Sequence, residues 1–296
     1  MAVSMAALVA DLAAESADLT AMLEPLTPGD WERPTPAAGW AIRDQVSHLA
    51  FFDEAATLTA TDPDRFQREA ARLMAAGADF TEVVAREHRR LAPGELLDWL
   101  ATARAEYLRT FAGLDPAARL PWYGPPMSAA SSVTARLMET WAHGQDVADA
   151  LGVARVPTAR LRHIAHLGIV TMAFSFALHG QPVPTAPVAV QLTGPDGDNW
   201  SWGPPGAADR VQGDALDFCL LVTQRRHQRD TGLTVTGPTA ETWLDLAQAF
   251  AGPPGRGRPP RPEGRQEREW QQREREEREE REREWQEREQ ERAADD

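Results

Sequence analysis

The hydrophobic period of this chain changes near Gly152, and that change constrains the fold more than any other feature of the sequence. Before it, apolar residues recur every three to four positions, the spacing that puts them on one face of an α-helix. Leu8, Leu12, Leu19, Leu23 and Leu26 mark a helix within residues 3–26, which Pro25 and Pro28 bring to an end. A loop rich in proline and glycine follows, carrying Trp31 and Trp40. Ile42 to Thr59 reads as a second helix with bulk on both sides: Ile42, Val46 and Leu49 on one, Phe51, Phe52 and Ala55 on the other. A helix apolar nearly all round is a buried one.

Residues 64–90 are charged, alanine-rich and helical in pattern, and Pro93 to Ala112 forms a further helix around Leu96, Leu100, Tyr107 and Phe111. The turn-like Trp122-Tyr123-Gly124-Pro125-Pro126 introduces the last long helix, Ser128 to Leu151. Four main helices joined by modest loops predict an antiparallel four-helix bundle over residues 1–155.

Beyond Gly152 the expected order is mixed. Pro157 to Leu178 reads as one more helix, and Val188 to Leu192 alternates as a strand does. The turn Gly194 to Asn199 leads to a strand containing Trp200 and Trp202. A helix from Asp214 to about Arg226, a strand at Leu233 to Val235 and a helix from Thr239 to Phe250 complete a small mixed α+β domain over residues 156–251. Residues 252–296 are a Pro/Gly/Arg linker and a Glu/Arg-rich tail with no core to join, expected as a disordered or solvated helical extension that contacts some other protein. The whole is a two-domain α+β chain with a charged appendage.

Composition narrows the chemistry. All basic residues are arginine, which removes Schiff-base lysines, Walker A loops and the kinase ATP lysine. The chain has no G-x-S-x-G, no H-E-x-x-H and no G-x-G-x-x-G. A net charge of −14 runs against a duplex-binding surface, so no nucleic-acid partner is expected. The longest apolar stretch, Ile164 to Leu178, contains His166 and falls short of the roughly 20 residues a membrane span needs. Met1 to Glu15 reads as a helix and not as a signal peptide, and the single cysteine, Cys219, offers no disulfide; a cytoplasmic protein is expected. Metal sites, acid–base sites and plain binding remain.

Glu139 and His143 lie at i and i+4, on one face of the last bundle helix, with Asp146 a turn further on. His48 sits in the second helix beside Phe51 and Phe52, where a polar ring needs a partner. If the two helices are neighbours, two imidazoles and a carboxylate can hold one divalent cation, as catalytic zinc sites do, with positions left open for water or substrate. The same set suits iron(II), manganese or nickel. A plainer reading stands beside it: the apolar stripe Val133, Leu137, Trp141, Ala148 and Leu151 leaves Glu139, His143 and Asp146 on the opposite, solvent-facing side.

Trp31 to Asp53, with its Pro34-Thr35-Pro36-Ala37-x-Gly39-Trp40 stretch before the helix of His48, resembles the N-terminal domain of the mycothiol-dependent maleylpyruvate isomerase family, and Glu139-x-x-x-His143 matches that family's other two metal ligands. DinB-like proteins share this metal-binding bundle. The second half is similar to the family's C-terminal domain, a relative of sterol-carrier-like folds, through Gly213-x-Ala215-x-Asp217 and Thr223-x-Arg225. The resemblance spans residues 3–250 and points to an uncharacterised metal-binding branch, since Thr223-Gln224-Arg225-Arg226-His227 stands in place of the more usual Thr-Gly-Arg.

The resemblance implies His48, Glu139 and His143 as ligands of one divalent metal, zinc first, and Arg225 as a catalytic residue gripping a substrate carboxylate. It also implies a low-molecular-weight thiol such as mycothiol, activated for isomerisation or thiol transfer on a small electrophile. Two other functions stay open: a metal-dependent hydrolase with Asp146 as base, and a non-catalytic metal-stabilised binding module. Other candidates are read structurally. His163 and His166 belong to packing or a domain interface, His227 caps a helix end, Cys219 packs as a small hydrophobe, and Asp196-Gly197-Asp198-Asn199 is a hairpin turn rather than a calcium loop.

Overall fold

A computed structural model of the chain describes residues 4–75, 77, 80–255 and 257–261. It is an α+β fold. The bundle comprises α1 (Met5–Leu23), α2 (Ile42–Thr61), α3 (Pro63–Ala75), α4 (Phe80–His88), α5 (Pro93–Ala112) and α6 (Ala129–Leu151). A short hairpin of β1 (Arg119–Leu120) and β2 (Met127–Ser128) precedes α6 and holds the Trp122–Pro126 turn at its tip. The second half contains α7 (Leu161–Val170), α8 (Met172–Leu178), β3 (Val188–Thr193), β4 (Asn199–Trp202), β5 (Asp209–Asp214), α9 (Ala215–Val222), β6 (Thr234–Thr236) and α10 (Pro238–Leu246).

Local chemistry accounts for the helix ends. The Ser4 hydroxyl accepts from Ala7 N and the Ser128 hydroxyl from Ser131 N, each satisfying an amide with no partner inside the helix. Pro93 opens α5, where its missing N–H costs nothing, and the Glu95 carboxylate takes the Ala92 N–H. Gly152 ends α6 at φ 71°, a left-handed conformation that glycine adopts without strain.

The charged 64–90 stretch, read as helical, forms two helices, α3 and α4, and three expectations change. The single helix expected over 157–178 is two, α7 and α8, bent by 51°. The Thr171 hydroxyl at the bend donates to the carbonyls of Leu167 and Gly168, and such back-bonding bends helices. The sheet has a strand that the hydrophobic pattern did not show: β5 lies inside the order β4-β3-β5-β6, parallel to β3 and antiparallel to β6. Its first residue is a buried aspartate, Asp209, whose carboxylate accepts from Thr239 N and Ala240 N at the start of α10. Finally, α9 and α10 stop at Val222 and Leu246, short of Arg226 and Phe250.

The two halves share a core. One apolar cluster runs from Leu12 on α1 through Tyr107, Leu137 and Trp141 to Val190, Phe218 and Trp243. A second, inside the bundle, joins Leu23, Ile42, Leu49, Leu96 and Val147. Where α7 crosses α9, Gly168 leaves room for Val222; a Cβ on Gly168 would stand 2.8 Å from a Val222 methyl. Among the described residues no single helix is long and apolar enough to cross a membrane, although the bent pair α7 and α8 together passes by length and composition. The expectation for the Glu/Arg-rich tail falls on residues 262–296, outside those described.

Candidate metal centre

Helix α2 packs between α5 and α6, and a buried ion network sets its register. Asp53, with no exposed surface, accepts from Arg104 Nε at 2.6 Å and Nη2 at 3.2 Å, and from Arg136 Nε at 2.9 Å. Arg104 belongs to α5 and Arg136 to α6, so one carboxylate ties three helices together. Asp53 lies five residues after His48, and Arg136 three before Glu139. The same clamp therefore holds the two stretches that carry the candidate ligands.

His48 and His143 meet at 4.4 Å between ring centroids. Glu139 Oε2 lies 3.0 Å from His143 Nε2 and 3.4 Å from His48 Nε2. One ligand atom from each residue falls within 4.8 Å of the others, and among the described residues no other group of His, Cys, Asp and Glu has this property. Ligands about 2.1 Å from a tetrahedral ion stand about 3.4 Å apart, so the cluster has the dimensions of a zinc-type site. The solvent-facing alternative for α6 does not describe this helix. His143 is buried and the Glu139 side chain is 21% exposed, because α2 covers this face of α6 while α1 and α7 also pack on the helix.

Electrostatics favour the ligating forms. Burial and the neighbouring His143 push the His48 imidazole down to about 4, against the opposing pull of Glu139. Burial alone would raise the Glu139 carboxyl, but hydrogen bonds from His143 and His48 outweigh it and hold the group well below its usual range. Neutral imidazole and ionised carboxylate are the states a metal requires.

Three further residues complete the surroundings, and of these the sequence did not single out Gln45. The Trp40 ring lies 5.4 Å from His48 and 6.0 Å from His143, with its Nε1–H donated to Glu82 on α4. Phe52 packs 4.6 Å from His48. Gln45, fully buried one turn before His48, faces His143 Nδ1 through its side-chain oxygen. A polar residue on an otherwise buried helix was the available signal for Gln45, and it names no partner.

Arg225 is placed elsewhere. Its guanidinium donates to Asp146 Oδ2 at 2.9 Å, to Ala142 O at 3.2 Å and to Thr223 O at 2.7 Å. Arg258 holds the other oxygen of Asp146, and Arg226 and Arg258 both hold Asp149. This joint, past His143 on α6, borders a cavity of about 650 Å³ lined by Asp149, Gly152, Arg225, Arg226, His227 and Arg258. Gln224, beside it, is the described non-glycine residue with positive φ, 60°, at the position where Thr-Gly-Arg would put a glycine; its side chain is held by the Ala247 carbonyl.

The remaining candidates have structural roles. His163 Nε2 pairs with Asp11 at 2.7 Å and joins α7 to α1, while His166 is exposed. The His227 ring accepts from Arg229 N and caps the short 3-10 turn Gln228–Asp230. Cys219 is buried, and burial raises its thiol far from nucleophilic range. The Asp196–Asn199 turn closes the β3–β4 hairpin.

Residues 12–148 match the model of the mycothiol maleylpyruvate isomerase N-terminal domain, and residues 184–235 match a model described as wyosine base formation. Two uncharacterised proteins, from two strains of Mycobacterium tuberculosis, are each 50% identical over 251 residues, covering 84% of this chain and 97% of theirs. Crystal structures of mycothiol-dependent maleylpyruvate isomerase superpose with TM-score 0.53 at 13% identity, and of its histidine-to-alanine variant with TM-score 0.55 at 12% identity. Each covers 79% of this chain and 93% of that protein, a likeness of fold.

Proposed function

Since this chain belongs, with those two mycobacterial proteins, to the mycothiol-dependent maleylpyruvate isomerase-like family, we propose that it is an enzyme that activates a low-molecular-weight thiol at a divalent metal held by His48, Glu139 and His143. One observation carries the metal. Gln45 Oε1 can only accept, so the hydrogen between it and His143 belongs to Nδ1, and Nε2 is the ring nitrogen that faces Glu139 Oε2 at 3.0 Å. One ligand atom each from His143, Glu139 and His48 lies within 4.8 Å of the others, the spacing that one shared cation needs. The third donor, His48 Nε2, approaches the same carboxylate oxygen.

A bound metal lowers the pKa of a coordinated thiol and so makes it a nucleophile near neutral pH. The chain's own residues supply the rest. His48, Glu139 and His143 would hold the ion through three side chains, and Trp40 and Phe52 place apolar rings against His48. Buried charge supports an anionic ligand, because Arg104 and Arg136 are balanced by Asp53 and Glu139, so a dication leaves the centre positive. The thiolate would add to a small electrophile, with isomerisation or thiol transfer as the outcome. For a carboxylate-bearing substrate Arg225 is the candidate grip, provided the substrate displaces it from Asp146. The hydrolase alternative loses its base, since both oxygens of Asp146 are bound by arginine. Zinc is the first metal to test, and a cytoplasmic setting, where thiols stay reduced, suits the chemistry.

The test is elemental analysis of the purified protein and of His48→Ala and His143→Ala, paired with mass spectrometry of an electrophile incubated with thiol and protein. One metal per chain in the parent, lost from both variants, and a thiol adduct or isomerised product formed only by the parent is the expected result. A parent free of metal after growth and loading with zinc refutes the assignment.

A further inference from the structure

We infer that Gln45 is the positioning residue of this centre: it fixes His143 in the Nδ1–H tautomer, and the direction of that hydrogen bond is dictated from the loop that carries Trp40. The inference rests on the proposed metal site but concerns an orientation that exists without the ion.

The direction can be followed from its fixed end. The carbonyl of Trp40 is an acceptor only, and it receives the Thr35 hydroxyl at 2.9 Å. With its one hydrogen committed there, Thr35 Oγ1 can only accept from Gln45, whose amide nitrogen lies 2.8 Å away. That contact identifies the nitrogen end of the Gln45 amide and turns its oxygen toward His143 Nδ1. An oxygen requires a hydrogen on Nδ1, which makes Nε2, the nitrogen that faces Glu139, the one available to ligate an ion. Each group in the relay has one consistent role, and reversing any link leaves a buried donor facing a donor or an acceptor facing an acceptor.

The setting leaves the amide little freedom. Gln45 has no exposed surface and Thr35 is 9% exposed, so water does not readily replace a lost partner. The backbone repeats the tether, because Thr35 N also donates to Trp40 O at 2.8 Å and Pro34 bridges to Ala41. His48 has no counterpart of Gln45: its Nδ1 is buried and has no hydrogen-bond partner among the described residues. The relay therefore acts on one of the two imidazoles.

Full-length Gln45→Met, Gln45→Glu and Thr35→Val proteins test this. Zinc affinity is measured by competition with a chromogenic chelator, and long-range ¹H–¹⁵N spectra of the histidine rings report tautomers in the metal-free proteins. Gln45→Met removes the acceptor at nearly constant volume and should weaken zinc about 10–100-fold, as loss of an outer-shell partner does. Gln45→Glu keeps an acceptor and should bind within about threefold of the parent. Thr35→Val, which frees the amide to flip, should fall between them and shift His143 toward a mixture of tautomers. Parent spectra showing His143 as the Nε2–H form overturn the inference with no variant needed, even if a variant fails to fold. Gln45→Met binding zinc as tightly as the parent also overturns it. A parent that binds no zinc while His143 is still the Nδ1–H form sinks the metal reading and leaves this one standing.

Discussion

Asp53→Asn is the substitution that most directly probes how the bundle is held. Asp53 accepts three hydrogen bonds from two guanidinium groups at 2.6, 2.9 and 3.2 Å, and all three side chains are buried. Asparagine keeps the shape but loses the charge and turns an amide N–H toward a guanidinium donor. Removing one member of a buried ion group leaves its partners charged in a low dielectric, at about 3–5 kcal/mol. A domain of ordinary stability has only about 5–15 kcal/mol in all. In urea, at a slope of about 2–3 kcal/mol per molar, the midpoint should fall by roughly 1–2 M. The clamp lies about one turn from His48 on α2 and one turn from Glu139 on α6, so zinc affinity should fall as well. A triple variant, Asp53→Leu with Arg104→Met and Arg136→Met, removes every charge and should recover most of the stability. Loss below about 1 kcal/mol in Asp53→Asn, or a triple variant no better than the single, would refute the view that uncompensated arginine charge sets the cost.

Two further expectations concern charge. His48 ionises near 4 in the fold against 6.5 when unfolded, so between those values the unfolded chain binds more protons and stability falls as pH drops. The change is of order 3 kcal/mol, read from urea curves of chelator-treated protein at pH 7 and pH 4.5, and an equal loss in His48→Ala would count against it. Arg225→Ala should lower stability by about 1–3 kcal/mol, because its hydrogen bonds include the buried Asp146 carboxylate. Unchanged stability with a raised KM would instead make Arg225 a substrate grip.

The convergence of His48, Glu139 and His143 was legible because two of them sit at i and i+4 on one helix, and because the stretch Trp31 to Asp53 resembles a known family. Helix periodicity also gave α2, α5 and α6 nearly to the residue. What stayed hidden depends on partners far away in sequence. Gln45 meets His143 across 98 residues, and Asp53 meets Arg136 across 83, so no local pattern marks either pair. Strand β5 hid for a related reason: Asp209, its buried first residue, is polar in order to cap α10, which breaks the alternation that identifies strands. The bend at Thr171 arises from one hydroxyl competing for helix carbonyls, a choice that the apolar run of 164–178 conceals.

The two imidazoles of the centre are held by different means, and this asymmetry bears on how the site accepts an ion. His143 and Glu139 share one helix, one turn apart, and Gln45 sets the ring of His143, so this pair forms a fixed edge. His48 comes from another helix, and its ring is set by packing against Trp40, Phe52 and His143, with Nδ1 unpartnered among the described residues. An unmade buried hydrogen bond costs about 1–3 kcal/mol, yet it also leaves His48 free of a directional restraint. No directional hydrogen bond at Nδ1 would then oppose a small adjustment of the His48 ring to a bound ion, whereas Gln45 would oppose one at His143. A site built this way would accommodate ions of different radius through His48, so exchange of zinc for the larger, diamagnetic cadmium should move the His48 ring resonances while those of His143 keep their tautomer.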